Sequence, residues 1–258
     1  MSTNAVPLGK TENNRHAPAI TQNKIARIAG ILYLVIIISG IFAEFFVRTG
    51  LIVPGDAAAT ADNILTSEML FRAGIATDLI MIIADIGLAL AFYVLFKPVS
   101  NALSLGAAFF RLAQAIILGF NLLNLFFALH LAGAGTEQSD ALAMLFLNAH
   151  DTGYAIGLVF FGISLFILSY LILKSGYLPR VLGILLMLAS FGYLADTFAR
   201  VLLPTYEAYA PLFDLVVFTP AVIAELAMAL WLLIKGVRLP AQESEASITT
   251  PQAEGAAA

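Results

Sequence analysis

Residues 103–131 read LSLGAAFFRLAQAIILGFNLLNLFFALHL, and they decide the fold. The run is longer than the ~20 apolar residues that cross a bilayer as a helix. Near its middle stands Arg111. A charge at that depth costs at least ~2.5–3.5 kcal/mol on insertion scales, and it normally faces a bundle interior or a wet cavity. A membrane protein with a polar interior follows from this one segment.

The rest of the chain agrees. It has 258 residues, 60% hydrophobic and only 12% charged, far more apolar than a soluble domain of that length needs. Further runs of spanning length lie at about 28–47, 71–96, 153–173, 182–203 and 212–234. The expected fold is all-α, a polytopic bundle of six transmembrane helices with short interfacial helices on the outer side. One transmembrane domain over 25–236 takes up the middle of the chain. Residues 1–24 and 237–258 are polar or lack apolar periodicity, and both are expected to be disordered cytoplasmic tails. The start does not resemble a signal peptide, whose apolar core is shorter than the run after Lys24.

Lys10, Arg15, Lys24, Arg27, Lys97, Lys174, Arg180, Lys235 and Arg238 fall on one side of such a bundle, and Arg48, Arg72 and Arg200 on the other. Nine against three predicts that the first side, with both termini, is cytoplasmic. Outside, Asp56 is placed to cap a helix in AAATADNILTSEMLF, residues 57–71, and SDALAMLFLNA, residues 139–149, is expected to lie along the interface.

RIAGILYLVIIISGIFAE from Arg27 resembles RVLGILLMLASFGYLAD from Arg180, and ADIGLALAFYVLFK from Ala84 resembles AELAMALWLLIK from Ala224. Asp85 then matches Glu225. Helices one and two would repeat as five and six about an axis along the membrane normal, unless Leu-rich composition alone produces the match.

At 1.5 Å per residue, Asp85, Arg111 and Glu225 each lie about 15–18 Å from a helix end, near the midplane of a ~30 Å core. Helical phase turns Gln114 and Asn121 to the same side as Arg111. These five residues are the candidate site for a ligand or a proton. One guanidinium for two carboxylates leaves a negative charge to be neutralised, and a purely structural role in fixing helix register is the competing reading. Glu44, Asp78, Asp196, Arg200 and Asp214 form a second group nearer the outer side, with Asp196 and Arg200 spaced to pair on one helix. Pro220 frees the carbonyl of Val216 and should bend the last helix five residues before Glu225.

The chain has no cysteine, which excludes thiolate chemistry and Cys-ligated zinc. His130 and His150 flank the loop between helices three and four without the further ligands a metal site wants, so no metal is expected there. No phosphate loop, HExxH or nucleophile elbow occurs, so no cofactor is indicated and an enzyme is disfavoured. A net charge of −4 with scattered Lys and Arg argues against nucleic acid. The partners left are the lipid bilayer and a small molecule or lipid ligand; oligomeric state is not encoded.

RIAGILYL, LIVPGDAAATADNI, FFRLAQAIILGFNLLNLF and SGYLPRVLGILLMLASFGYLAD are similar to a bacterial membrane-protein family known as domain of unknown function 4386. The resemblance covers roughly residues 24–236 and includes Arg111, Gln114, Asn121, Asn124, Arg180 and Asp196. It implies a bacterial inner membrane and no particular activity. On the residues alone, the leading expectation is a protein that binds or moves a small polar or amphiphilic molecule through a charged cavity. A membrane-embedded enzyme acting on a lipid or isoprenoid, and a structural or signalling partner, are the alternatives.

Overall fold

The computed structural model describes the backbone of residues 13–238, and side chains from residue 21 onward except Glu207 and Asp214. Among the described residues there are helices and no strands. Six helices are long and apolar enough to cross a membrane: Thr21–Leu51, Glu68–Phe96, Asn101–Ala132, Glu137–Ser175, Arg180–Leu202 and Ala210–Ile234. They are termed spans one to six. A bilayer leaves no water for backbone groups, so each segment must satisfy its own amides, which only a helix does locally.

The spans form a closed ring. Each packs on the one before it and the one after it, and span one closes on span six. Spans one and six meet backbone to backbone, since a Cβ added at Gly30 would lie 2.7 Å from the Leu233 nitrogen. Outward faces carry large apolar side chains, among them Ile83, Phe109, Phe120, Leu188 and Ile223. In water such a surface would demand a partner; here it fits lipid.

An even number of crossings puts both termini on one side, hereafter the termini side. There the ring is filled by Leu95, Phe96, Leu168, Leu171, Ile172 and Leu232. The opposite, far side is closed by a roof. Asp56 caps the helix Ala57–Thr66 by accepting from the Ala59 amide. Its Ala61 and Ile64 pack on the far ends of spans three and four, beside Ala128, Leu129, Ala143 and Leu147.

Two expectations change. The segment 139–149 is not a separate interfacial helix. It forms the first turns of span four, which runs 39 residues from a Thr136–Ser139 capping box to Gly176 at φ 67°. At ~1.5 Å per residue that is about 58 Å, so the helix stands well clear of a ~30 Å core. The first helix begins at Asn13, inside the stretch expected to be a tail. The expected tails over 1–12 and 239–258 lie outside the described residues.

Two spans leave α geometry. Span one is π-helical over Phe42–Arg48, and span six over Asp214–Phe218, just ahead of Pro220. Pro220 has no amide proton to offer the preceding turn, which gives the second π segment a local cause. Such bulges occur often at functional sites.

Candidate functional site

A cavity of about 90 Å³ lies on the ring axis, and every span contributes to its wall. Asp85 comes from span two, Arg111 and Gln114 from span three, Tyr154 from span four, Tyr193 from span five and Glu225 from span six. Ile36 supplies the wall from span one. Helical phase explains the convergence, because each polar residue shares a face with the apolar residues that build the core.

Arg111 is 2% exposed. Its Nε donates to Asp85 Oδ1 at 2.7 Å, and Nη2 lies 2.6 Å from the same oxygen. The rings of Tyr33 and Phe161 sit 5.5 and 5.0 Å from the guanidinium carbon, giving a face for the cation. Glu225 takes a different partner: Tyr193 Oη donates to its Oε1 at 2.7 Å. Tyr33 is buried within the field of both Glu225 and Arg111.

The network is left open. Arg111 Nη1, Asp85 Oδ2 and Gln114 Oε1 are buried without a hydrogen-bond partner among the described residues. Unpaired buried polar groups cost about 1–3 kcal/mol each, more when charged. The formal count within the site is one cation against two carboxylates.

Of the five central residues named from the sequence, four therefore meet at one cavity. Asn121 does not. It donates to the His150 carbonyl at 2.8 Å, sits 3.1 Å from His150 Nδ1, and accepts from Asn124. His150 is buried and ties spans three and four together rather than facing the interface.

The outer group divides in two. Glu44 and Asp78 converge on Arg48, whose Nε donates to Glu44 at 2.7 Å and Nη1 to Asp78 at 2.6 Å. Arg48 was counted in the sequence as a charge of the outer side; it is 8% exposed and anchors this group. Asp196 and Arg200 belong to another set, where Arg200 reaches Asp196 at 3.3 Å and Asp151 at 2.9 Å. Tyr206 donates to Asp196 at 2.6 Å, and burial together with this hydrogen bond pushes its hydroxyl above the usual tyrosine range. Asp214 is placed by its backbone in the π segment, and its side chain lies outside the description.

Sequence reasoning missed Arg48, Tyr33, Tyr154 and Tyr193. The i, i+4 spacing of Glu44 and Arg48 was a usable signal. The tyrosines gave none, since a Tyr in an apolar helix reads equally as lipid-facing or core.

The model of the family described as "Domain of unknown function (DUF4386)" matches residues 28–236, and the chain belongs to that family. A protein of Archaeoglobus fulgidus described as "Uncharacterized protein" is 35% identical over 160 residues, covering 62% of this chain and 82% of its own. No solved structure matches.

Proposed function

We propose that this member of the DUF4386 family binds or moves a small polar or amphiphilic molecule through its charged intramembrane cavity. The observation that carries the reading is the unclosed network in the wall of the axial cavity: Arg111, Asp85 and Gln114 line it, and Arg111 Nη1, Asp85 Oδ2 and Gln114 Oε1 are buried without hydrogen-bond partners among the described residues. Charges that only fix helix register would be expected to satisfy one another.

Size limits the occupant. A water occupies ~30 Å³ of liquid, so a cavity of about 90 Å³ takes roughly three waters or a head group of a few heavy atoms. Pockets for drug-sized molecules run to ~300–1,000 Å³, so of a lipid or other amphiphile only a small head group fits inside.

The location proposed is a bacterial cytoplasmic membrane with both termini in the cytoplasm. The orientation rests on the nine-to-three distribution of Lys and Arg between the two sides, and the bacterial membrane on the family resemblance.

Infrared spectra of the reconstituted protein test the site, comparing wild type with Asp85→Asn and Glu225→Gln. The expected result is a carboxyl signal that changes state with pH or added solute and disappears in one variant while the bundle stays folded. If both acids stay ionised throughout and both substitutions only destabilise, the charges are structural and the binding reading is wrong.

A further inference from the structure

The route into the cavity follows from the two π-helical segments. Spans one and six are locked together on the termini side, where Gly30 lies against Ala229 and Leu233. Their mutual packing involves Asn13–Ile41 and Thr219–Ile234. Beyond that, Phe42–Arg48 and Asp214–Phe218 make no more than marginal contact across the seam. Span six leans instead on span five, where a Cβ at Gly192 would lie 2.9 Å from Val217. Ile38 and Ile41 on span one, and Leu215 and Val216 on span six, are exposed. Ile36 and Phe218 line the cavity from these same two spans and are only part-buried. The seam between spans one and six, where the packing is weakest on the far half, is therefore the place where the ring can part. The apolar plug closes the termini side and the Ala57–Thr66 helix roofs the far side.

Such a mouth faces acyl chains, not water. The cavity wall includes three acceptor-bearing residues: Asp85 and Gln114, with Oδ2 and Oε1 buried and unpartnered among the described residues, and Glu225. When both carboxyls are ionised, two carboxylates against one guanidinium leave one negative charge to be matched. A primary ammonium carries one positive charge and three N–H donors. A carboxylate or phosphate head would add to the excess charge, and a trimethylammonium head has no donor for these oxygens.

Resting on the binding reading above, we propose that the axial site takes a single-chain amphiphile with a primary ammonium head. It enters from the bilayer between spans one and six on the far half of the ring. The head lies among Asp85, Gln114 and Glu225, and the alkyl chain leaves past Ile36 and Phe218. Water in the remaining space satisfies Arg111 Nη1.

The test uses the full chain in nanodiscs of zwitterionic lipid with a diazirine-bearing decylamine as probe. Saturable crosslinks are expected within 34–46 and 212–222, competed by decylamine. Competition by decanoate or decyltrimethylammonium should be weaker by about tenfold or more, about 1.4 kcal/mol. Glu225→Gln keeps an acceptor for Tyr193 and should stay folded while saturable labelling falls by about the same factor. Glu44→Gln, at a half-exposed position away from the cavity, should label as wild type. Labelling that is unsaturable and spread evenly over lipid-facing residues would overturn the lateral route. Stronger competition by decanoate would overturn the ammonium head. In either case, a response of the infrared carboxyl signal to water-soluble methylammonium would leave the binding reading standing. No response to any of these probes would remove both.

Discussion

Asp85→Asn takes away the one carboxylate that touches Arg111 and leaves a guanidinium buried at 2% exposure. Removing one partner of a buried pair costs about 3–5 kcal/mol, because the remaining charge keeps its desolvation penalty without its counter-ion. For a chain of this size that corresponds to a fall of about 6–20 °C in apparent Tm. Arg111→Ala should cost as much, since it strips Asp85 and also empties the space between the Tyr33 and Phe161 rings. Arg200→Ala is the internal comparison. Its side chain is 26% exposed, its partner Asp151 is 70% exposed, and its longer 3.3 Å pair to buried Asp196 leaves that carboxylate the Tyr206 hydroxyl, so the loss should be smaller than for Arg111→Ala. Replacing both central partners, Arg111→Met with Asp85→Leu, removes two desolvation penalties at once and should recover most of the loss. The assay is thermal unfolding in nanodiscs, followed by size-exclusion profile, for wild type, the single variants and the double variant. Equal tolerance of Arg111→Ala and Arg200→Ala would refute the reasoning. So would a double variant whose destabilisation is the sum of the singles, because two groups in contact must couple.

Four other outcomes follow from the same geometry. Gly30→Val should lower folded yield by forcing spans one and six apart, at about 1–3 kcal/mol of overpacking, whereas Gly119→Ala, with no heavy atom within 4 Å of the new Cβ, should leave yield unchanged. Asp56→Ala should loosen the roof helix by about 1 kcal/mol through loss of its N-cap, seen as faster amide exchange over Ala57–Thr66. Reporter fusions after Lys97, Lys174 and Lys235 should report cytoplasm and those within 205–210 the outside; the reverse pattern would discard the orientation. Tyr206 holds its proton more tightly folded than unfolded, so its contribution is complete below the ordinary tyrosine value of ~10 and is lost as pH rises beyond it. Tyr206→Phe should flatten that alkaline decline, measured as Tm against pH.

The number of spans was legible in the sequence because a bilayer imposes a length, a composition and a self-satisfied backbone on each crossing. Depth was legible for the same reason: counting residues from Lys97 and Lys235 put Asp85 and Glu225 at one level, and helical phase turned Arg111 and Gln114 inward. Tertiary structure decided who meets whom. Arg111 goes to Asp85, while Glu225 is held by Tyr193, and Arg48 draws Glu44 and Asp78 away from Asp196 and Arg200. The residues 139–149 extend span four because the roof helix covers their apolar face, so they need not lie on the interface. Asp85 and Glu225 meet at one cavity within a ring whose order no single segment encodes. Phase and depth belong to one helix and its solvent. Pairing depends on the rotation of two helices about each other, and that is fixed by close contacts such as Gly30 on Leu233, between residues some two hundred positions apart.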